Sequence, residues 1–202
     1  MSLFRRRLML STANNSNSTL PSGYIELAYI ESTGTQYIKL DLPITKDTIC
    51  RIKFNMTVAT GQCIMGSIPA FRFFNAYASA YLDWGRGSGG GRINGGSIKA
   101  GTLYDIEFGD FYVKNLDTGE NIISGESWGD TIKYSSDPIM IMKYKDSPEA
   151  KGKVYYAQVY ETGTLVRDLL PCINPDGEVG LYDLVNGKFY GNAGTGDFIA
   201  GY

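Results

Sequence analysis

Asp105-Ile106-Glu107 places two carboxyl groups two residues apart inside an apolar–polar alternation. Residues two apart on a strand share a face. Two carboxyls on one face could act as acid and nucleophile in glycoside cleavage. Their neighbours argue against that use. Tyr104, Ile106 and Phe108 form a core stripe on the opposite face, which is expected to turn Asp105 and Glu107 to solvent. The chain contains no His. That removes Ser-His and Cys-His nucleophile systems, the usual zinc ligand sets and the commonest general base. We therefore expect no enzymatic activity.

Gly85-Arg86-Gly87-Ser88-Gly89-Gly90 contains the letters of a dinucleotide-binding loop. Such a loop must open a helix after a strand, and the following Gly91-Arg92-Ile93-Asn94-Gly95-Gly96 cannot. A multi-turn surface loop is expected over 85–96, with contact to a glycan or a protein neighbour as the other reading. Asp83, Asn94, Asp130 and Asp137 are scattered singly, unlike the clustered oxygen ligands of a calcium loop. No metal and no cofactor are expected. Cys50, Cys63 and Cys172 fall at unrelated spacings and read as buried thiols. Sugar rings stack on aromatic faces, which makes Tyr77, Tyr81, Trp84 and Trp128 the glycan-contact candidates. Trp84 adjoins the glycine run, and Trp128 sits in a Gly/Ser-rich turn. The other reading of all four is packing within the sandwich or between subunits.

Charge is unevenly placed. Three of the 19 Lys+Arg, and none of the 21 Asp+Glu, lie in the first twenty residues, so the remainder carries 16 bases against 21 acids. Phe4, Arg5, Arg6, Arg7 and Leu8 form a short basic, apolar tip. A Ser/Thr/Asn stretch to Leu20 then reads as a linker. Such a segment cannot bury enough of its own surface to order itself. Arginine forks pair bidentately with carboxylates, so docking to a partner protein is the expected role of these five residues, with a solvated tail as the other reading. Three arginines are too few to argue for nucleic acid. No apolar stretch approaches a membrane span, and Leu8-Met9-Leu10 is too short for a secretory h-region. A protein made in a cytoplasm is expected, with 1–20 as arm and linker and 21–202 as one domain.

That domain must position any site, and its pattern is β throughout. Ile49, Arg51, Lys53 and Asn55 alternate with Cys50, Ile52, Phe54 and Met56. A second alternation sets Tyr155, Ala157 and Val159 against Tyr156, Gln158 and Tyr160. Glu161-Thr162-Gly163 then separates it from the apolar run Leu165–Leu170, which predicts a hairpin. Asn174-Pro175-Asp176-Gly177 and Asn186-Gly187 each turn the chain again. Twelve to fourteen short strands are expected with no helix, the pattern of an antiparallel sandwich or barrel.

The opening L-P-S-G-Y-I-E-L-A-Y-I-E-S-T-G-T-Q-Y-I (20–38) resembles the start of a concanavalin A-like, laminin G-like jelly-roll domain. L-V-R-D-L-L-P-C, G-L-Y-D-L-V-N-G-K-F-Y and G-N-A-G-T-G-D-F are similar to its end. Such domains occur in structural proteins of phages and prophages of gut bacteria. The resemblance implies two antiparallel sheets of six or seven strands, with the first and last strands adjacent. It also implies a virion protein, as a capsid decoration or a head- or tail-fibre component. The arm would then dock on capsid, portal or tail proteins, and the jelly roll would face outward, where host-surface glycan is the implied ligand. A homo-trimer follows from the same analogy. Jelly-roll glycosidases carry E-x-D-x-x-E on one strand, and this chain does not. A bacterial cell-surface lectin is the alternative function.

Overall fold

The computed structural model describes residues 19–58, 62–67, 71–76, 80–84, 91–95, 98–109, 111–125, 137–143 and 149–202. All regular elements among them are strands. The chain begins with β1 (Ile25–Glu26), β2 (Tyr29–Thr33), β3 (Ile38–Pro43) and β4 (Thr48–Met56). Next come β5 (Gln62–Cys63), β6 (Met65–Gly66), β7 (Phe71–Ala76), β8 (Ala80–Trp84) and β9 (Gly91–Asn94). Then follow β10 (Leu103–Gly109), β11 (Tyr112–Asn115), β12 (Asn121–Ser124) and β13 (Pro138–Ile141). The last five are β14 (Lys151–Glu161), β15 (Thr164–Ile173), β16 (Val179–Asp183), β17 (Lys188–Tyr190) and β18 (Ile199–Gly201).

They form two antiparallel sheets, one of 11 strands and one of 7, a jelly-roll sandwich. The large sheet runs β12-β11-β10-β4-β14-β15-β16-β17, and the small one runs β3-β13-β6-β7-β8-β9. The core lies between them. Ile52, Phe54, Ile106, Phe108, Val154 and Ala157 of the large sheet meet Ile38, Leu40, Ile64, Met65, Ile139 and Ile141, which sit on or beside strands of the small one. Period-2 alternation produces this directly, because β4 buries every second residue along its length.

The expected strand count and the balance of the sheets need correction. Several runs that read in sequence as one strand are split, as where Leu27-Ala28 divides Tyr24–Ile30 into β1 and the start of β2. The large sheet gains strands because β14 is long enough to take two partners on one edge. Residues 151–154 pair with β2, and residues 157–161 pair with β15. A register shift between Val154 and Tyr156 separates those halves. Part of the expected glycine loop is also strand, since β9 pairs with β8. Its first half, with the G-x-G-x-x-G letters, lies outside the described residues. The run from Leu103 to Val113 reads in sequence as a strand with a candidate break at Gly109-Asp110, and the structure ends β10 at Gly109 and turns it into β11 through Phe111 at φ 68°.

The expected turns are present. Thr162 (φ 47°) and Gly163 (φ 79°) give the two consecutive left-handed residues of a type I′ hairpin between β14 and β15. The two ends of the domain meet, with Ile199 opposite Glu31 and Gly201 opposite Tyr29. This pairing covers one edge of β2.

Candidate functional site

The side chains of β4, β10 and β14 that miss the core point to the outer face of the large sheet. Register brings Glu107 opposite Arg51, Arg51 opposite Gln158, and Gln158 opposite Asp168. The result is a hydrogen-bonded row across five strands. Tyr112 Oη donates to Glu107 Oε1 (2.9 Å), and Arg51 Nε donates to Glu107 Oε2 (2.7 Å). Arg51 Nη2 lies 2.6 Å from that same oxygen. Arg51 Nη1 donates to Tyr160 Oη (3.3 Å), Tyr160 Oη to Gln158 Oε1 (3.0 Å), and Gln158 Nε2 to Asp168 Oδ1 (3.0 Å). The guanidinium also sits 4.9 Å from the Tyr160 ring centre. Burial, reinforced by the neighbouring Glu107 carboxylate, raises the Tyr112 pKa well above the usual phenol range.

One position inward, Asp105 corrects the expectation of solvent exposure. It does share a face with Glu107, but it is only 5% exposed. Tyr156 Oη donates to its Oδ1, and Lys53 Nζ stands 3.8 Å from its Oδ2. Desolvation raises its pKa, opposed by Tyr156 and Lys53. Tyr156 itself is buried in a small second cluster on this outer face, with Leu20, Leu170, Cys172 and Tyr182. Tyr104, Ile106 and Phe108 are buried as expected. Asp105 and Glu107 are thus engaged separately, one by Tyr156 and Lys53, the other by Arg51 and Tyr112.

The row passes a shallow groove of about 390 Å³ lined by Lys46, Asp47, Thr48, Ile49, Tyr112, Thr162 and Gly163. Tyr112 belongs to both features, and Ile49 pairs in register with Tyr160. The β14–β15 hairpin forms one wall. The turn before β4 forms the other, tied down by Thr45 Oγ1 donating to Glu161 Oε2 (2.7 Å). Chemically, the arrangement offers an apolar floor beside hydrogen-bonding groups already held in place.

A second polar cluster closes one seam of the sandwich. Asp183 is fully buried, and its Oδ1 accepts from the backbone N–H of Asp168 (3.0 Å) and of Val185 (3.0 Å). Its Oδ2 accepts from Asn186 Nδ2 (2.8 Å) and lies 3.5 Å from Arg167 Nε. Arg167 Nη2 reaches across to Asp41 of the small sheet (3.0 Å). Lys188 Nζ (2.9 Å) and the Tyr190 hydroxyl also donate to Asp41. The hydroxyl of Tyr190, with Lys188 and Arg167, holds the Asp41 carboxyl well below the usual range, against a smaller opposing effect of burial. The D-x-x-N-G-K-x-Y portion of the closing motif therefore joins the two sheets.

The glycan-contact candidates are only partly placed. Tyr81 and Trp84 stand on β8, opposite Asn94 and Gly91 of β9. Tyr77 and Trp128 lie outside the described residues, as do Phe4, Arg5, Arg6, Arg7 and Leu8. The outer-face row is not evident from the sequence. The Arg51/Lys53/Asn55 stripe marks a polar face, but its partners depend on register. Cys50, Cys63 and Cys172 are buried and not joined in disulfides. Burial, with Glu26 nearby, pushes the Cys172 thiol up to about 12, so it stays protonated and unreactive near neutral pH. Among the described residues no three His, Cys, Asp or Glu converge as a metal site.

No protein-family model matches the chain, and no curated protein matches it in sequence. Among solved structures it is similar to a native heptameric SAP-like pentraxin from Limulus polyphemus, with 13% identity and a TM-score of 0.47, covering 88% of this chain and 94% of that one.

Proposed function

We propose that this chain is a virion display protein, a capsid decoration or fibre component. Its N-terminal arm docks on a larger particle, and its jelly roll faces outward to contact host-surface glycan. The resemblance of the chain's two ends to phage jelly-roll domains supplies the setting. The observation that carries the reading is how the arm joins the body. Leu20 is buried on the outer face of the large sheet against Tyr156, Leu170, Cys172 and Tyr182, with Tyr24 packed beside them. The Tyr24 and Tyr182 rings meet edge to face at 4.8 Å. Leu27 N–H donates to Pro171 O (3.0 Å), which fastens the next turn of chain. In this reading a pull on the arm is borne by an apolar anchor at Leu20.

Deleting residues 1–18 keeps Leu20 and Tyr24 and tests the proposal. The truncated protein should fold with an unchanged unfolding midpoint yet be absent from purified particles. Incorporation at the full-length level would end the docking reading. The alternative, a cell-surface lectin, draws on one specific observation, the groove beside the preorganised polar row. It predicts saccharide binding by a protein retained on the cell envelope.

A further inference from the structure

We infer that the groove between the β14–β15 hairpin and the turn before β4, together with the polar row that passes it, is a binding site for an uncharged saccharide. This rests on the display reading above and names the ligand class and the place of contact. Ile49 and Tyr112 give an apolar floor and flank in a groove of about 390 Å³, within the usual range for small-ligand sites. A pyranose ring has one apolar C–H face that suits such a floor, and hydroxyls at its rim.

Those hydroxyls need donors and acceptors at fixed positions, which the row provides. Gln158 carries two amide N–H donors, and the contact with Asp168 uses one. Arg51 has five N–H donors set in a rigid fork. Each group is already oriented by its neighbour, so binding orders few side chains. That lowers the entropic penalty that makes shallow sites weak.

Charge decides the class of sugar. Arg51 is neutralised by Glu107, and Lys53 stands beside Asp105. At the rim the groove is lined by one cation, Lys46, and one anion, Asp47, whose formal charges cancel. Asp168, at the far end of the row, adds a negative charge. A uronate or sialate would bring its carboxylate near Glu107 at one end of the row or Asp168 at the other, with no cation left over in the row to receive it. Neutral hexoses and N-acetylhexosamines meet no such penalty.

The test uses the full-length protein on an array of neutral hexose and N-acetylhexosamine polysaccharides with uronate-containing counterparts. Hits are then titrated and followed by two-dimensional NMR. The expected result is binding to neutral members, with shifts at the Ile49 methyls, the Tyr112 ring and the Gln158 amide. Gln158→Ala and Tyr160→Phe, each confirmed folded by an unchanged unfolding midpoint, should weaken binding at least tenfold. Shifts at Tyr81 and Trp84 in place of these would overturn the site while leaving glycan contact intact. Binding of uronate-containing members alone would overturn the ligand class. An array with no hits overturns the inference and the glycan part of the display reading, but particle incorporation, and with it the docking role, would stand.

Discussion

Asp183→Ala should be among the most damaging single substitutions in the chain, although it touches neither the groove nor the arm. The carboxylate is fully buried and serves three hydrogen bonds and one ion pair. Truncation leaves the half-buried Asp168 N–H without an acceptor, at roughly 1–3 kcal/mol for a desolvated donor. The Val185 N–H lies in an exposed turn, where water can replace the lost partner at smaller cost. Asn186 Nδ2 still has Val166 O at 3.0 Å. Arg167, whose side chain is 12% exposed, keeps Asp41 but loses its interior counter-charge. Breaking one side of such a pair costs about 3–5 kcal/mol when burial is complete. Weighing these, the loss should be about 3–4 kcal/mol, or a fall in unfolding midpoint of roughly 6–16 °C for a chain of this size. Asp183→Asn separates the contributions, because its carbonyl oxygen can still accept from both backbone N–H groups. It should cost only about 1–2 kcal/mol. Urea unfolding followed by tryptophan fluorescence measures both variants. A loss below about 1 kcal/mol for the alanine variant would show that the motif does not hold the seam, and a functional role for it would have to be sought.

Three further outcomes follow from the same structure. Asp41 has a depressed pKa in the folded state. Its contribution is therefore present above the unfolded carboxylate value of about 3.9 and is lost as pH falls below it. Asp41→Asn should be less stable than wild type at pH 7, and the gap should shrink between pH 4 and pH 2 in thermal melts. Gly152 (φ 151°) sits against the backbone of β4, where an added Cβ would lie 2.3 Å from Asn55 O and 2.8 Å from Met56 Cα. Gly152→Ala should cost several times more than Gly163→Ala, whose added methyl meets nothing and whose penalty is the roughly 1–2 kcal/mol of left-handed backbone. Equal losses in chemical unfolding would refute the steric argument. Leu20→Ala should lower stability by about 2 kcal/mol, whereas removal of residues 1–18 should leave it unchanged. Calorimetry on the two proteins distinguishes an anchored root from a passive tail.

Legibility in the sequence varies from element to element. The β4 alternation is complete there, because a period of two with one apolar face permits only one orientation on a sheet. The turns at 162–163 and 186–187 are legible through Gly163 and Asn186-Gly187, since few residues accept a left-handed backbone. Asp105 shows where such reading stops. Alternation correctly places it on the outer face but assumes that an outer face is wet. A bulge in β14 brings Tyr156 above the sheet, and Leu20, more than eighty residues upstream of Asp105, packs beside it.

The sequence alone determined the class of fold, the antiparallel hairpins and the basic tip before Leu20. These depend on local backbone preference, composition and periodicity, all of which are properties of neighbours along the chain. Only the tertiary structure decided which strand lies beside which. That choice set Glu107 against Arg51, placed Arg51 beside Gln158 and Tyr160, and turned the closing motif into a clasp on Asp41. Long-range register is fixed by packing the whole core at once, and the polar groups on the far side of each strand take whatever partners that packing brings.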